Sequence, residues 1–339
     1  MNKTLSFDDV LIVPQFSYVK SRKDVDISQS FCGMNLSIPV ISSNMDTVTE
    51  SRMAVAMSDN GAVGALHRFT SIENNVKMFI TASNVKNKPI VSIGLGDKEL
   101  ERAEALYAAG ANVFLIDVAH GASMEVVKQT SELRKLLHHS SQLIVGNFAT
   151  SRSIRDFIHH LGSDKDVQAY KVGIGGGSAC LTRVVTGAGL PTFASVLDCS
   201  NVGVPIIADG GIRNSGDFAK AIAAGATTVM MGRLFAGCDE SPSELIDTPS
   251  GRFKKYRGSA STESYQVQGK IAQHRSYEGD AYKIPYTGPV SKVLQQFEGG
   301  LRSALSYVGA TNIQEFREFT EFAEVTTGGA VEGTAHGNK

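Results

Sequence analysis

The stretch "PIIADGGIRNSGDFAKAIAAGATTVMMGRL", residues 205–234, decides the fold. It opens with a short apolar run that ends in Asp209, Gly210 and Gly211, and it closes with a second run that ends in Gly232 and Arg233. Between them "SGDFAKAIAAGA" reads as an amphipathic helix, stopped by Ala-Gly-Ala. Two nearly continuous apolar strands joined by a helix make a parallel unit whose sheet is covered on both faces.

Working outward, the same unit recurs. Six further strand-like runs precede it: "PVISSNM" (39–45), "GAVGALH" (61–67), "IVSIGLG" (90–96), "VFLIDVA" (113–119), "QLIVGNF" (142–148) and "AYKVGIG" (169–175). Helix-like segments such as "KELERAEALYAAGA" separate most of them. With "PIIADGG" (205–211) and "TVMMGRL" (228–234) the count is eight, which predicts a (β/α)8 barrel rather than an open doubly wound sheet. Residues 1–339 read as one domain, with the barrel core over 30–237, a lid over 251–289 and a C-terminal helix and tail over 290–339.

Composition narrows the function. Of 339 residues 42% are hydrophobic and the formal net charge is −1, with no basic run suited to nucleic acid or an anionic membrane surface. The cysteines Cys32, Cys180, Cys199 and Cys238 form no CxxC pair, which argues against a zinc or disulfide framework. No apolar run is long enough to span a membrane, and the expected location is the cytoplasm.

In such barrels the chemistry sits in loops at the carboxyl ends of the strands. The loop after strand six is "GGGSACLTR" (175–183), and the glycines ending strands seven and eight suit a phosphate held by backbone N–H groups. "GIGGGS" lacks the final glycine of a dinucleotide fingerprint and GxxxxGK[ST] is absent, so neither a Rossmann nor a P-loop site is indicated. Cys180 follows the flexible glycines with the cation Arg183 nearby, a setting that favours a thiolate nucleophile over a structural thiol. The long polar segment 251–289 suits a lid that excludes water, and it carries Glu278, either a solvated carboxylate or an acid–base group brought over the site beside Thr182. Lys171 could form a Schiff base if desolvation lowered its pKa, but that chemistry has no use for the cysteine and glycine run that follows. The histidines (His67, His120, His138–His139, His159–His160) offer no metal set.

Beyond these readings, "GIGGGSACLT" resembles the cysteine loop of the IMP dehydrogenase/GMP reductase family, G-x-G-x-G-[SK]-x-C-x-T. "LSFDDVLIVP", "SNMDTVTESRMAVAMS", "IDVAHG", "IIADGGIRNSGDFAKAIAAGATTVMMGRLFAG" and "GGLRSALSYVGA" are similar to further family segments in order along nearly the whole chain. Gly176 stands where Pro or Ser is usual, and Leu181 where Thr or Ile is usual. Both branches of the family attack purine C2 with the cysteine and exchange a hydride with a nicotinamide. The compact "HRSYEGDAYKIPYTG" and "YRGSAS" resemble the reductase, whereas "KYRG" and "IRNSGD" are close to the dehydrogenase. No room exists between "LHRF" and "VSIGLG" for the regulatory modules most dehydrogenases insert.

The resemblance implies NADPH-dependent reductive deamination of GMP to IMP; a dehydrogenase without regulatory modules and an inactive nucleotide-binding regulator are the alternatives. It implies Cys180 as nucleophile, with Thr182 and Glu278 as proton-transfer partners. It places Ser178, Gly210, Gly211, Gly232 and Arg233 around the 5′-phosphate and Asp209 on the ribose hydroxyls. Gly258, Ser259, Ala260, Arg275, Ser276, Tyr277 and Gly279 would close over the nucleotide. NADPH would meet Arg68, Asp117, Val118, Ala119, Ile174 and Gly175, together with Ser21, Arg22, Ser303 and Ser306, the last two reaching a neighbouring subunit of a homotetramer. Carbonyls of Gly175, Gly177 and Cys180 would hold a potassium ion.

Overall fold

A computed structural model describes residues 4–263 and 277–333. Eight parallel strands close into a barrel: β1 (Val40–Ser42), β2 (Val63–Leu66), β3 (Ile90–Ile93), β4 (Val113–Asp117), β5 (Gln142–Phe148), β6 (Ala169–Val172), β7 (Ile206–Asp209) and β8 (Thr228–Met231). Neighbours follow chain order, and β8 returns to β1 with Val229 opposite Val40. Each of the eight quoted runs contains its strand, so the expected (β/α)8 architecture is the observed one.

Local chemistry sets the helix ends. Ser71, Ser123, Thr150 and Asn214 each accept a backbone N–H of the first helical turn through the side chain, which satisfies donors that the helix itself leaves orphaned. The helix Ser215–Ala223 ends two residues before Gly225, as the Ala-Gly-Ala signal predicts.

Successive strand residues face opposite sides, and this period of two sorts the core. Phe114 and Ile116 of β4, Tyr170 and Val172 of β6, and Ile206 and Ala208 of β7 pack outward among the helices. Val113, Leu115, Ala169 and Ile207 point into the barrel with Ile41, Val63, Ile90, Ile144 and Met230. The hairpin Gln29–Phe31/Met34–Leu36 plugs the floor by adding Phe31 and Leu36 to this interior cluster. Continuing the alternation upward from Leu115, Ala169 and Ile207 brings Asp117, Lys171 and Asp209 to the inward side at the mouth.

The segment 251–289 departs from its expected irregularity. Leu245–Thr248, Gly251–Arg257 and Ala281–Pro285 form a three-stranded antiparallel sheet. Alternation is present in "GRFKKYR", but the inward positions are Lys254 and Tyr256, so charge disguises the buried face. The Lys254 ammonium is satisfied by the Cys238 carbonyl at 2.7 Å, the Ser241 carbonyl at 3.0 Å and Ser241 Oγ at 2.9 Å. Arg257 grips Asp46 with two nitrogens, the shorter contact being 2.6 Å, and so fastens the sheet to the loop after β1. Near the C-terminus, Phe322–Glu324 pairs antiparallel with Val10–Ile12. Among the described residues no helix is long and apolar enough to cross a membrane.

Candidate active site

A cleft of about 630 Å³ opens at the carboxyl ends of the strands. The loop after β6 forms one wall, and the first two of its three glycines have a direct steric reason there. Gly175 holds φ at +78°, and a Cβ on it would lie 2.4 Å from Cγ of Arg183. The Arg183 guanidinium donates to the carbonyls of Ile174 and Leu190, which pins the loop. Burial pulls this guanidinium below its ordinary pKa, and the charge on Cys180 opposes that fall.

Cys180 alone of the four cysteines lines the cleft. Burial pushes the Cys32 and Cys199 thiols up to about 12 and the Cys238 thiol up to about 11, so these three stay protonated. Cys180 Sγ donates to Thr182 Oγ1 at 3.2 Å, and Thr182 Oγ1 donates to Glu278 Oε2 at 2.7 Å. The carboxylate arrives from 96 residues further along the chain. Backbone pairing brings it there: Leu181 N donates to the Glu278 carbonyl at 2.7 Å, and Asp280 N to the Ala179 carbonyl at 2.9 Å. Gly258 N donates to the Asp280 carbonyl at 2.8 Å, closing the edge beside Ser259 and Ala260.

Ser178, Asp209, Gly210, Gly211, Gly232 and Arg233 all line the cleft. Sequence reading missed Tyr256, which sits among them: its phenol lies 3.6 Å from Met45 Sδ and hydrogen-bonds Ser178. Burial raises the Tyr256 pKa, the Ser178 contact opposing it, so the phenol is a neutral donor. The buried alternate position in "GRFKKYR" was the available signal. Arg68, Asp117, Val118, Ala119, Ile174 and Gly175 line it too. Arg68 Nε is buried with no hydrogen-bond partner among the described residues.

Other expectations fall elsewhere. Ser21 caps the turn Arg22–Asp24, and Ser303 and Ser306 donate to carbonyls of their own helix; none of these four residues lines the cleft of its own chain. Tyr277 is partly exposed and off the cleft wall, while Arg275 and Ser276 lie outside the described residues. The Schiff-base reading of Lys171 fails. Burial would depress its ammonium, but Asp117 at 2.9 Å and Asp209 on its other side reverse this and raise the pKa. The buried His67 is placed by Glu50 at 3.3 Å and by Phe69 N at 3.1 Å, and no metal-holding group of three His, Cys, Asp or Glu occurs among the described residues.

The family model for the IMP dehydrogenase/GMP reductase domain matches residues 4–336. The chain belongs to that family. It is 36% identical to a GMP reductase from Enterobacter sp. (strain 638), covering 95% of this chain and 94% of that one. It is 33% identical to an inosine-5′-monophosphate dehydrogenase from Cryptosporidium parvum, covering 99% and 96%. A crystal structure of a cysteine-to-alanine GMP reductase from Trypanosoma brucei in complex with guanosine 5′-monophosphate superposes with a TM-score of 0.90 at 29% identity, over 99% of this chain and 98% of that one. Family members are oxidoreductases that use nicotinamide cofactors.

Proposed function

We propose that the protein is a GMP reductase, which converts GMP to IMP and ammonia with NADPH through a covalent adduct on Cys180. The Cys180–Thr182–Glu278 chain is the observation that carries this reading, because deamination needs both a nucleophile for C2 and a proton for the departing nitrogen. The Cys180 thiolate bonds to purine C2, which divides one difficult displacement into two easier steps. Glu278 delivers a proton through Thr182 to the exocyclic nitrogen, the C2–N bond breaks, and ammonia leaves. When bound, the reduced nicotinamide supplies the hydride that replaces the lost nitrogen at C2. The C–S bond then breaks, and its electron pair returns to sulfur.

Binding follows from the residues that line the cleft. Backbone N–H groups at Gly210, Gly211 and Gly232, with Ser178, Arg233 and Tyr256, would hold the phosphate, and Asp209 the ribose diol. Gly258, Ser259, Ala260 and Gly279, with Arg275, Ser276 and Tyr277, would cover the base. The unpartnered Arg68 Nε beside Asp117, Val118 and Ala119 fits a polar nicotinamide group. Ser21 and Arg22 would meet the cofactor, and Ser303 and Ser306 would serve that of a neighbouring copy in a homotetramer. A potassium ion would rest on carbonyls of Gly175, Gly177 and Cys180, neutral oxygens suited to a weakly held cation. The Gly177 carbonyl accepts Cys180 N at 3.0 Å and keeps its second lone pair.

Relatives named as dehydrogenases support a second reading, in which the same adduct is hydrolysed to XMP. One assay separates them. Purified protein with GMP and NADPH should consume NADPH and release ammonia; faster turnover of IMP with NAD would transfer the assignment to the dehydrogenase.

A further inference from the structure

Lys171 is 2% exposed at the centre of the barrel mouth, and neither the thiol chemistry nor the proton path uses it. Its ammonium meets three acceptors: Asp117 Oδ1 at 2.9 Å, Asn147 Oδ1 at 2.5 Å and Asp209 Oδ2. Three N–H bonds and three oxygens leave nothing unsatisfied. Each carboxylate has an amide as well, since Asn147 Nδ2 donates to Asp209 at 2.9 Å and Asn44 Nδ2 to Asp117 at 2.8 Å. Room for this side chain is built into the sheet, because a Cβ on Gly146 would lie 2.5 Å from the Lys171 Cβ.

Stability does not explain the arrangement. Apolar side chains fill the neighbouring inward positions, as Ile207 and Met230 do, and a buried ion cluster is commonly no more stable than such packing. The two carboxylates instead have different neighbours: Asp209 precedes Gly210 and lies near Tyr256, among the residues proposed for the nucleotide, and Asp117 precedes Val118 and lies near Arg68, among those proposed for the cofactor. Without a cation between them, two carboxylates this close would share a proton. We propose that Lys171 is a positioning residue that clamps Asp209 and Asp117 together, so that the residues for the nucleotide and for the cofactor are ordered as one unit. This rests on the nucleotide reading given above. The charged or titratable groups facing the clamp are Asp117, Asp209, Arg68 near Asp117 and Tyr256 near Asp209.

The test compares wild type, Lys171→Met, Asp117→Asn and the double variant Lys171→Met/Asp117→Asn in full-length protein. Infrared spectra with isotope-labelled aspartate should show a protonated carboxyl at neutral pH in Lys171→Met that is absent from wild type. GMP affinity by calorimetry should fall about 10²–10³-fold in Lys171→Met, and the KM for the reduced nicotinamide should rise with it. The double variant should recover at least about tenfold of the lost GMP affinity, because Asp209 no longer competes with a second carboxylate, yet it should remain weaker than Asp117→Asn. A folded Lys171→Met with no new protonated carboxyl, or with unchanged GMP affinity and cofactor KM, would overturn the clamp. If Lys171→Met does not fold, equal GMP affinity in Asp117→Asn and the double variant overturns it. Wild type that binds neither GMP nor IMP refutes the nucleotide reading instead, and the infrared comparison still decides whether Lys171 keeps both carboxylates charged.

Discussion

The two ends of the barrel interior use the same strands for opposite purposes. Toward the floor, Leu115, Ala169 and Ile207 meet Phe31 and Leu36 of the plugging hairpin in one apolar cluster. Two residues further along the same strands stand Asp117, Lys171 and Asp209, joined to Asn147 and Asn44 by charged hydrogen bonds. Apolar burial at the floor is non-directional and accumulates with area, about 1.5–3 kcal/mol for a large side chain. The mouth network places atoms with hydrogen-bond accuracy and contributes little net stability. Loss at the floor should therefore be read in melting curves, and loss of the thiol or the proton path at the mouth in kinetics.

The sharpest break is Cys180→Ala. It should lower turnover by about 10⁴-fold or more while the melting temperature holds, since in the proposed reaction the residue bonds to substrate and it supports no core contact. Glu278→Gln comes next: losing the proton donor should slow ammonia release about 10²–10⁴-fold, measured in single turnover against the hydride step followed by NADPH absorbance. Equal slowing of both steps would contradict its assigned role. From the other end, Phe31→Ala should cost about 3–5 kcal/mol of stability in denaturant titration, with kcat per folded molecule nearly unchanged. If Phe31→Ala reduced kcat as steeply as it reduced stability, floor and mouth would not be separable.

The division also marks what could be read from the chain. All eight strands were legible because two-sided burial leaves near-continuous apolar runs with glycine or Asp at their ends. The Cys180–Thr182 pair was legible because it is local. The floor hairpin was not: Gln29–Phe31 and Met34–Leu36 are three residues each, with Phe31 and Leu36 as the buried anchors. The sheet after β8 was hidden because its inward positions include Lys254, whose burial is compensated by carbonyls from residues 238 and 241. The charge state of Lys171 was hidden for a related reason. Burial of one residue suggests a depressed ammonium, but its two carboxylates come from strands 54 and 38 residues away in sequence and reverse the sign.

A third kind of contact, neither floor nor mouth, gives the smallest effect. Asp8, from the N-terminal turn anchored by buried Phe7, receives the Arg213 guanidinium at 2.8 Å from the loop after β7. Arg213 also reaches Asp217 at 2.9 Å. The hydrogen bond from Arg213 is the chief cause that holds the Asp8 carboxyl below its ordinary value, and burial opposes it. A carboxyl depressed in the folded state adds stability above its unfolded pKa and loses it as pH falls through the folded pKa. Both side chains are half-exposed or more, so water and salt screen the pair. Asp8→Asn should therefore cost at most about 1 kcal/mol at neutral pH. In thermal melts across pH, the gap from wild type should close on acidification and shrink with added salt, while kcat stays unchanged. A gap that widened in acid would mean that Asp8 is held by something other than the Arg213 charge, and a fall in kcat would mean that the rim contact reaches the mouth.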